Sequence, residues 1–307
     1  MKTEKIAYKG EPLRLDLYLK DLYLDYSREF LKKLINDGFV KVNGLSVKPS
    51  HSLKNGDEIE ICENSDFKNK LEYKKMLIYE DDSIIAINKP AGLLVHPNDE
   101  NWTRDLEALN FYEDNLLSFL YHQIRDKFEN GIERFGLVHR LDKETSGVML
   151  MAKTIRAQES LKDKFKNREI DKVYLCLVRG EIEKDFFIDA PIGRDSGDKR
   201  LRVHKYGRDA LTYIELIESN KDYSYIRVMP KTGRTNQIRV HLSHVGHEIL
   251  GDRIYSKDLD TERLMLHSYK IAFKHPLTMK NLEFKAEPDA IFKKILKEKI
   301  KMGKIKY

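Results

Sequence analysis

The feature that most constrains this chain is residues 139–147, which read His-Arg-Leu-Asp-Lys-Glu-Thr-Ser-Gly. Apolar segments with the composition of buried strands lie on both sides, at residues 135–138 and 148–152. Asp142 is therefore predicted to lie at the end of buried strands. A desolvated carboxylate without a partner loses its charge or destabilises the fold, so this acid requires a nearby stabilising group.

The directions of the side chains around Asp142 follow from extended backbone geometry. If residues 139–142 are extended, Arg140 and Asp142 share one face, whereas His139 and Leu141 take the other. This alternation does not allow a relay between His139 and Asp142. It predicts instead an acid and a base exposed together in one cleft.

Residues 139–147 resemble the signature of the RluA/RluD family of pseudouridine synthases, in the pattern His-Arg-Leu-Asp-x-x-Thr-Ser-Gly. The resemblance implies that Asp142 is the nucleophile. Further segments resemble family motifs in the family's order, at residues 88–97, 172–180 and 231–241, and at the closing pair Leu266-His267-Ser268 and Lys274-His275-Pro276. The family implies an α+β fold, with a large mixed and mostly antiparallel sheet, and a reaction that needs neither a cofactor nor a metal.

Two positions depart from the family pattern. Asn236 stands where the family usually has His, and Ser268 where Ala is more usual. An amide still donates and accepts hydrogen bonds, but it does not titrate near neutral pH. The departure at Asn236 leaves the role of that position open.

The N-terminal region has a second pattern, of two helices followed by a hairpin. Ser27 is a predicted N-cap, Gly38 ends the second helix, and Asn43-Gly44 is a strong hairpin signal. This order resembles the S4 RNA-binding domain, a small domain of the α-L type. Its predicted RNA-binding residues are basic side chains on or beside the two helices, namely Arg14, Arg28, Lys32 and Lys33.

Length and composition agree with two domains. The chain has 307 residues, of which 41% are hydrophobic and 35% charged. We predict an S4 domain over residues 1–64, a charged linker over 65–75 and a catalytic domain over 76–307. A net charge of +6 permits RNA as a partner without requiring it.

The same composition indicates a cytoplasmic location. Cys62 and Cys176 are the two cysteines, far apart in sequence, which favours a reducing compartment. The N-terminus has no apolar signal segment, and no apolar run approaches the roughly 18 residues that span a bilayer. We expect a monomer with no membrane contact.

The family resemblance assigns roles to four residues. Asp142 would act on uridine from a dry pocket, with Arg239 as its bidentate counter-charge. Tyr174 would stack on the uracil, and Arg140 would fill the gap left when the base leaves the RNA stack. Attack on the ribose, attack on the uracil ring and assistance to proton removal all remain open for Asp142. Without the resemblance, the other three residues read as an ordinary strand tyrosine and surface arginines.

Competing sites and functions were weighed. His241, His244 and His247 have metal-like spacing, but no further ligands complete a tetrahedral set, so we expect them to be structural or to face RNA. His139, Asp142 and Ser146 could be mistaken for the catalytic triad of a hydrolase, but they lack the Gly-x-Ser-x-Gly nucleophile elbow. Large-subunit ribosomal RNA is the predicted substrate; the alternatives are transfer RNA, or a non-catalytic RNA-binding or ribosome-assembly role.

Overall fold

The computed structural model describes residues 3–63, 71–112, 115–195, 197–198, 200–256, 261–301, 305 and 307. Contacts divide the chain into two compact units, each described by itself. The first unit comprises residues 1–73 and 94–135, and the second comprises residues 74–93 and 136–307. Residues 65–70 of the predicted linker lie outside the described residues, so the linker stays a prediction.

The described residues form eight α-helices and seventeen strands. The helices are α1 (Leu15–Leu22), α2 (Arg28–Asn36), α3 (Tyr73–Met76), α4 (Asn101–Arg104), α5 (Leu116–Ile124), α6 (Ile155–Lys166), α7 (Gln237–His244) and α8 (Ala290–Ile300). The strands are β1 (Thr3–Ala7), β2 (Leu13–Arg14), β3 (Val40–Val42), β4 (Leu45–Ser46), β5 (Ser52–Leu53), β6 (Glu58–Cys62), β7 (Leu77–Glu80), β8 (Ile84–Lys89), β9 (Ser146–Ala152), β10 (Asp171–Arg179), β11 (Phe186–Asp189), β12 (Ile192–Gly193), β13 (Arg202–Val203), β14 (Leu211–Ser219), β15 (Tyr223–Pro230), β16 (Leu266–Lys274) and β17 (Asn281–Lys285).

The N-terminal part of the first unit has the predicted order of two helices and a hairpin. Strands β1, β6, β3 and β4 form a four-stranded sheet in that order. The Ser27 side chain accepts a hydrogen bond from the Phe30 amide at 3.2 Å, which confirms the predicted N-cap of α2. Asn43 and Gly44 have φ angles of 51° and 77°, as the tight turn of a two-residue hairpin requires.

Residues 94–135 complete the first unit, although they fall within the larger domain predicted from the sequence. The Ser27 amide donates to the Asn101 side chain at 2.8 Å. Phe30 stacks on Tyr112 with ring centroids 5.3 Å apart. Apolar burial against α2 thus holds this segment, an effect that depends on residues far apart in sequence.

The second unit is built on a nine-stranded sheet. Its order is β11-β14-β15-β10-β16-β9-β8-β7, with β17 also paired to β16. All described strand pairs in this sheet are antiparallel except β9 with β16, which are parallel at Ser146 and Gly147. Every residue of β9 is buried. The predicted large, mixed and mostly antiparallel sheet is confirmed.

The predicted strand before the central motif is wrong. Residues Glu133–Gly136 form a 3-10 turn, in which Phe135 has a left-handed φ of 49°. The Phe135 ring lies against Phe128, at 4.1 Å between centroids, and its burial outweighs the strand propensity of the segment. Within residues 135–138, Leu137 alone pairs with a strand, through an isolated bridge to Met151.

The predicted start of α7 is also wrong, by one residue. Thr235 was expected to cap the helix, but Asn236 occupies the N-cap with a left-handed φ of 54° and no capping hydrogen bond from its side chain. The Gln237 side chain instead reaches back and accepts from the Arg234 amide at 3.0 Å. Because that contact satisfies an otherwise unpaired amide, the Thr235 cap is not needed.

Candidate active site

A cavity of about 1060 Å³ opens beside the central sheet of the second unit. Four segments line it: residues 138–145, residues 165–174, residues 229–239, and the sheet residues Leu266, Lys270, Ala272 and Glu283. The cavity therefore brings together three of the segments that the sequence singled out. A volume of this size can accommodate a flipped nucleotide, since ligand pockets typically measure about 300–1,000 Å³.

Asp142 lies on the wall of this cavity, in the irregular loop before β9. Its side chain is 29% exposed, whereas the neighbouring Leu141 is buried. Arg140 is exposed and also lines the cavity. The predicted sharing of one cleft by Arg140 and Asp142 is confirmed, although residues 139–142 form no strand.

The His139 side chain is occupied by structural contacts. Its Nε2 accepts a hydrogen bond from the Leu150 amide at 2.8 Å, and its ring stacks on Phe165. Burial, aided by the positive charge of Lys172, lowers the pKa of His139 to about 3. A neutral imidazole that anchors the loop to β9 cannot also relay a proton to Asp142.

The approach of β9 to β16 sets the end of the Asp142 loop. Gly147 has a φ of 115°, and a Cβ at that position would lie 2.1 Å from the Ser268 carbonyl oxygen. No side chain fits in so small a gap, so glycine is required there. The Thr-Ser-Gly end of the motif therefore serves the packing of two strands.

A buried hydrogen-bond chain holds the same loop from behind. Arg263 Nη2 donates to the Ser146 hydroxyl at 2.8 Å, and that hydroxyl contacts His267 Nδ1 at 2.7 Å. His267 Nε2 in turn contacts the Ala286 carbonyl at 2.8 Å, which assigns the proton to Nε2. Burial lowers the pKa of His267 to about 4, so the ring stays neutral and can accept from Ser146. Ser146 is thus a structural residue, not part of a hydrolase triad.

Lys89 supports the loop from the other side. Its side chain is fully buried, and Nζ donates to the carbonyl oxygens of Pro90, Leu93 and Lys143 at 2.9, 2.7 and 3.0 Å. Burial lowers the pKa of this lysine to about 7, against the opposing effect of Glu144 and Asp142. The three bonds tie the Asn-Lys-Pro-Ala-Gly segment to the Asp142 loop, a contact that sequence reasoning missed.

Arg239 is the counter-charge of Asp142, but not in the predicted geometry. Its Nε and Nη2 both donate to Asp252, each at 2.7 Å, and this bidentate pair is buried. Nη1 is left to face Asp142, at 3.6 Å from Oδ2. The prediction that Arg239 holds Asp142 bidentately is therefore wrong, because the fork is already occupied by Asp252.

Asp252 is a residue that the sequence analysis did not find. Burial alone would raise the pKa of its carboxyl group, but Arg239 and the amides of Ile254 and Tyr255 hold that pKa below its ordinary value. A permanently ionised Asp252 keeps Arg239 in place. In the sequence, Asp252 stands between Gly251 and the charged Arg253, and no local pattern distinguishes it from a surface acid.

Asn236 contributes to the same cluster. Its Oδ1 lies 3.4 Å from Arg239 Nη1, and its Nδ2 lies 3.4 Å from the Tyr255 hydroxyl. The Tyr255 ring lies under the guanidinium of Arg239, 5.3 Å from centroid to Cζ. Asn236 therefore shares with Asp142 the one guanidinium nitrogen that Asp252 does not bind.

Gln237 orders the start of α7. Its amide donates to the Leu211 carbonyl and the Thr212 hydroxyl, at 3.0 and 2.9 Å. Its Oε1 accepts from the Thr232 hydroxyl at 2.7 Å. A fully satisfied buried amide fixes the helix on which Arg239 lies.

The histidines with metal-like spacing have other contacts. His241 contacts Thr212 and the Ala190 carbonyl, and His247 contacts the Arg179 carbonyl. Among the described residues, no group of three or more His, Cys, Asp or Glu side chains could hold a metal ion. His241 and His247 thus contribute to structure, whereas His244 is exposed on α7.

Tyr174 lies on β10 with its side chain at the cavity. Burial raises the pKa of its phenol to about 12, while the Ser268 hydroxyl opposes that shift. The phenol therefore stays protonated at neutral pH. Ser268 is the partner of Tyr174 in the pairing of β10 with β16, and its hydroxyl donates to the Val148 carbonyl at 3.2 Å.

Two of the four predicted RNA-binding residues of the first unit pair with the same buried acid. Arg14 and Arg28 both bind Asp16, which is fully buried, at 3.0 and 2.8 Å. The two arginine side chains remain 47% and 45% exposed. Lys33 is exposed and lies over the Tyr112 ring, and Lys32 is half-buried.

The charge around the cavity is strongly unbalanced. Eight basic residues and three acidic ones line it: Arg140, Lys166, Arg168, Lys172, Lys231, Arg234, Arg239 and Lys270 against Asp142, Asp171 and Glu283. Such a surface attracts a polyanion. No helix among the described residues has the length and apolar character needed to cross a membrane. The cytoplasmic location stays a prediction.

Comparison with known proteins identifies both parts of the chain. A family model described as RNA pseudouridylate synthase matches residues 83–244, and one described as S4 domain matches residues 13–59. An uncharacterized RNA pseudouridine synthase of Aquifex aeolicus is 38% identical, over 95% of this chain and 96% of its own length. Ribosomal large subunit pseudouridine synthase D of Neisseria meningitidis is 35% identical, over 91% of this chain and 77% of its own.

Two solved human structures share the fold. RNA pseudouridylate synthase domain containing 4 has a TM-score of 0.58 at 22% identity, covering 74% of this chain and 94% of its own. RNA pseudouridylate synthase domain containing 1 has a TM-score of 0.56 at 24% identity, covering 74% and 86%. With a family model over more than half of its length and relatives above 30% identity, this chain belongs to the RNA pseudouridine synthases, isomerases that convert uridine in RNA to pseudouridine, and carries an N-terminal S4 domain.

Proposed function

We propose that this protein isomerises specific uridines of large-subunit ribosomal RNA, with Asp142 as the catalytic nucleophile. The observation that carries the assignment is the half-exposed carboxylate of Asp142 in a basic cavity, 3.6 Å from the guanidinium of Arg239. Relatives that bear the name ribosomal large subunit pseudouridine synthase D support the choice of RNA. The S4 domain supports a structured RNA partner.

The reaction breaks the glycosidic C–N bond, turns the uracil and forms a C–C bond to the same ribose. No atom is gained or lost, and nothing is oxidised. The protein must therefore supply a nucleophile or base, keep it ionised and exclude water. Asp142 meets the first requirement, and the Nη1 of Arg239 lies 3.6 Å from its Oδ2 as a neighbouring positive charge.

The neighbouring residues suit a flipped nucleotide. Tyr174 offers an uncharged aromatic face at the cavity, on which a uracil ring can stack. Arg140 is exposed on the same loop as Asp142 and is long enough to fill the gap that the base leaves in the RNA.

The S4 domain would capture the RNA through its phosphates. Arg14 and Arg28, held by Asp16, present fixed guanidinium groups, and Lys32 and Lys33 add mobile charges. Such contacts add affinity and salt dependence but little sequence discrimination.

Pseudouridine mapping tests the substrate. Ribosomal and transfer RNA from cells with and without this protein should differ at a small number of large-subunit ribosomal positions. Re-expression of the wild type should restore those positions, whereas re-expression of Asp142→Ala should not. Differences confined to transfer RNA would replace the proposed substrate by the other RNA class. Unchanged maps, together with tight ribosomal RNA binding by both proteins, would favour a non-catalytic assembly role.

A further inference from the structure

Lys172 is a basic residue of the cavity to which the proposed function gives no role. It lies on β10 two residues before Tyr174, and both side chains line the cavity. Within the described part of the chain, Lys172 makes no hydrogen bond and no ion pair, and its half-buried ammonium is desolvated enough to lower its pKa. An unpaired, desolvated cation costs free energy, so its presence indicates a charge that arrives with a ligand.

Other cations of the cavity have protein partners. Lys270 pairs with Glu283 at 3.0 Å, and Arg239 pairs with Asp252 and Asp142. Removing the charge of such a residue would leave an acid unpaired. Removing the charge of Lys172 leaves no acid behind, which separates it from these two.

The surroundings of Lys172 place it close to two other segments that line the cavity. Its Nζ is 4.0 Å from the position that a Cβ of Gly233 would occupy, in the loop before α7. Its charge also acts on His139, on the loop that carries Asp142. Lys172 therefore lies between the two catalytic loops, close to the tyrosine proposed to stack on the uracil.

The isomerisation creates an anion at this place. When the N1–C1′ bond breaks, its electron pair stays on the uracil, and the charge spreads over the ring nitrogens and O2 and O4. Bond formation from C5 to C1′ consumes that charge, C5 releases a proton, and N1 acquires one. The uracil becomes negative in the same way if Asp142 attacks the ribose or assists proton removal, and attack on its ring also charges the carbonyl oxygens.

We propose that the ammonium group of Lys172 binds and stabilises the negative charge of the uracil during the reaction. The proposal rests on the function proposed above, since it places the uracil on Tyr174. A fixed cation that meets charge only in the transition state lowers the barrier without tightening ground-state binding. Lys172 would then be a catalytic residue that the motif reading had not included.

Substitution of Lys172 gives the first test. Lys172→Met keeps the length of the side chain and removes its charge, and Lys172→Arg keeps a charge. Rates should be measured in single turnovers at saturating RNA, on an RNA that the wild type modifies. Lys172→Met should lose about 100-fold in rate with RNA affinity within about threefold of wild type, and Lys172→Arg should keep part of the rate.

The matched control is Lys285→Met, on β17. Lys285 is an exposed lysine paired with Glu283 at 2.7 Å, and it does not line the cavity. This variant should turn over like the wild type. A Lys172→Met variant that binds RNA weakly but reacts at the wild-type rate would overturn the proposal, because Lys172 would then grip the RNA backbone. An unchanged rate and affinity would overturn it as well.

A binding experiment that needs no turnover gives the second test. At neutral pH uracil is neutral, whereas 5-nitrouracil is an anion, because its nitro group acidifies the ring N–H. Titration of both ligands should show that the wild type prefers the anion and that Lys172→Met loses most of that preference. An equal preference in the two proteins would overturn the proposal. This result stands even if the chosen ribosomal RNA is not modified, an outcome that would count against the proposed substrate alone.

The thermal stability of Lys172→Met distinguishes a role in ligand binding from a role in stabilising the fold. Because Lys172 has no acidic partner among the residues that the structure describes, Lys172→Met should be at least as stable to heat as the wild type. A variant that unfolds would show that the ammonium stabilises the fold, and it would overturn the assignment to the ligand.

Discussion

Each of the two units contains a fully buried aspartate held by arginine, and the two clusters are arranged oppositely. In the S4 domain, Asp16 binds Arg14 and Arg28, whose side chains are 47% and 45% exposed. In the catalytic unit, Asp252 binds Arg239, whose side chain is only 6% exposed, and Arg239 faces the half-exposed Asp142. Asp16 thus holds two arginines that are exposed to solvent. Asp252 holds a buried arginine that faces the acid of the cavity, Asp142.

The difference reflects what each surface must bind. Phosphates outside the protein are met by exposed guanidinium groups, whose interactions are screened by salt and individually weak. A nucleophile inside a cavity needs an unscreened cation behind it, and that cation needs its own buried anion to offset its desolvation. On the proposed function, the same pair of residue types would support RNA affinity in one unit and reactivity in the other.

The largest expected effect is at the half-exposed acid of the second cluster. Asp142→Asn keeps the size of the side chain but removes the charge and the nucleophile. Turnover should fall by at least about 1,000-fold, roughly 4 kcal/mol of barrier, with folding and RNA affinity close to wild type. Single-turnover assays on modified and unmodified RNA measure this. Turnover within about tenfold of wild type would remove Asp142 from its proposed role.

The next effect concerns the buried acid behind Arg239. Asp252→Asn leaves the guanidinium with one neutral acceptor, so Nη1 should no longer be held toward Asp142. We expect a loss of about 10- to 100-fold in kcat with a small change in RNA affinity, and a stability loss of about 3 kcal/mol. Denaturant titrations and turnover assays measure the two effects separately.

Arg239→Lys tests the same cluster from the other side. A point charge cannot bind both oxygens of Asp252 and reach Asp142 at once, so turnover should also fall strongly. Near-normal turnover would show that another cavity cation serves Asp142. Arg234, whose side chain also lines the cavity, would be the first to test.

An intermediate effect is expected from pH. The pKa of His267 is about 4 in the fold, below the ordinary 6.5, so the unfolded chain binds more protons between those values. The free energy of unfolding should therefore fall as pH drops from 6.5 toward 4, by up to about 1.4 kcal/mol per pH unit from this group. Wild type should lose more stability between pH 7 and pH 5 than His267→Gln, in denaturant titrations at both values.

The exposed His244 gives a control for this measurement. His244→Gln should keep the wild-type dependence on pH. If His267→Gln also keeps it, the Arg263–Ser146–His267 chain is not held by a neutral ring.

The smallest effect is expected on the exposed side of the comparison. Replacing Lys32 and Lys33 together by Gln should weaken RNA binding by about 3- to 10-fold and reduce the salt slope by about one to two units. Turnover at saturating RNA should not change. Lys5→Gln is the control, since that lysine is paired with Glu58 and Glu60 on β1 and β6. An unchanged salt slope in the double variant would show that this helix does not meet phosphates.

The sequence by itself determined the family, the fold class and the position of Asp142. Short-range signals were sufficient for this, because turns and caps depend on neighbouring residues. The hairpin at Asn43-Gly44 and the cap at Ser27 are examples. The alternation around Asp142 likewise placed it beside Arg140 in one cleft.

Only the tertiary structure decided which acid pairs with which arginine. Asp252 lies 13 residues after Arg239, and its capture of the guanidinium fork depends on how α7 and the following loop pack. The pairing of Asp16 with two arginines of the S4 domain also depends on packing between distant residues. So does the position of Phe135 in a 3-10 turn instead of the predicted strand. Charge pairing and burial act between residues that meet only in the folded chain, so local pattern carries no record of them.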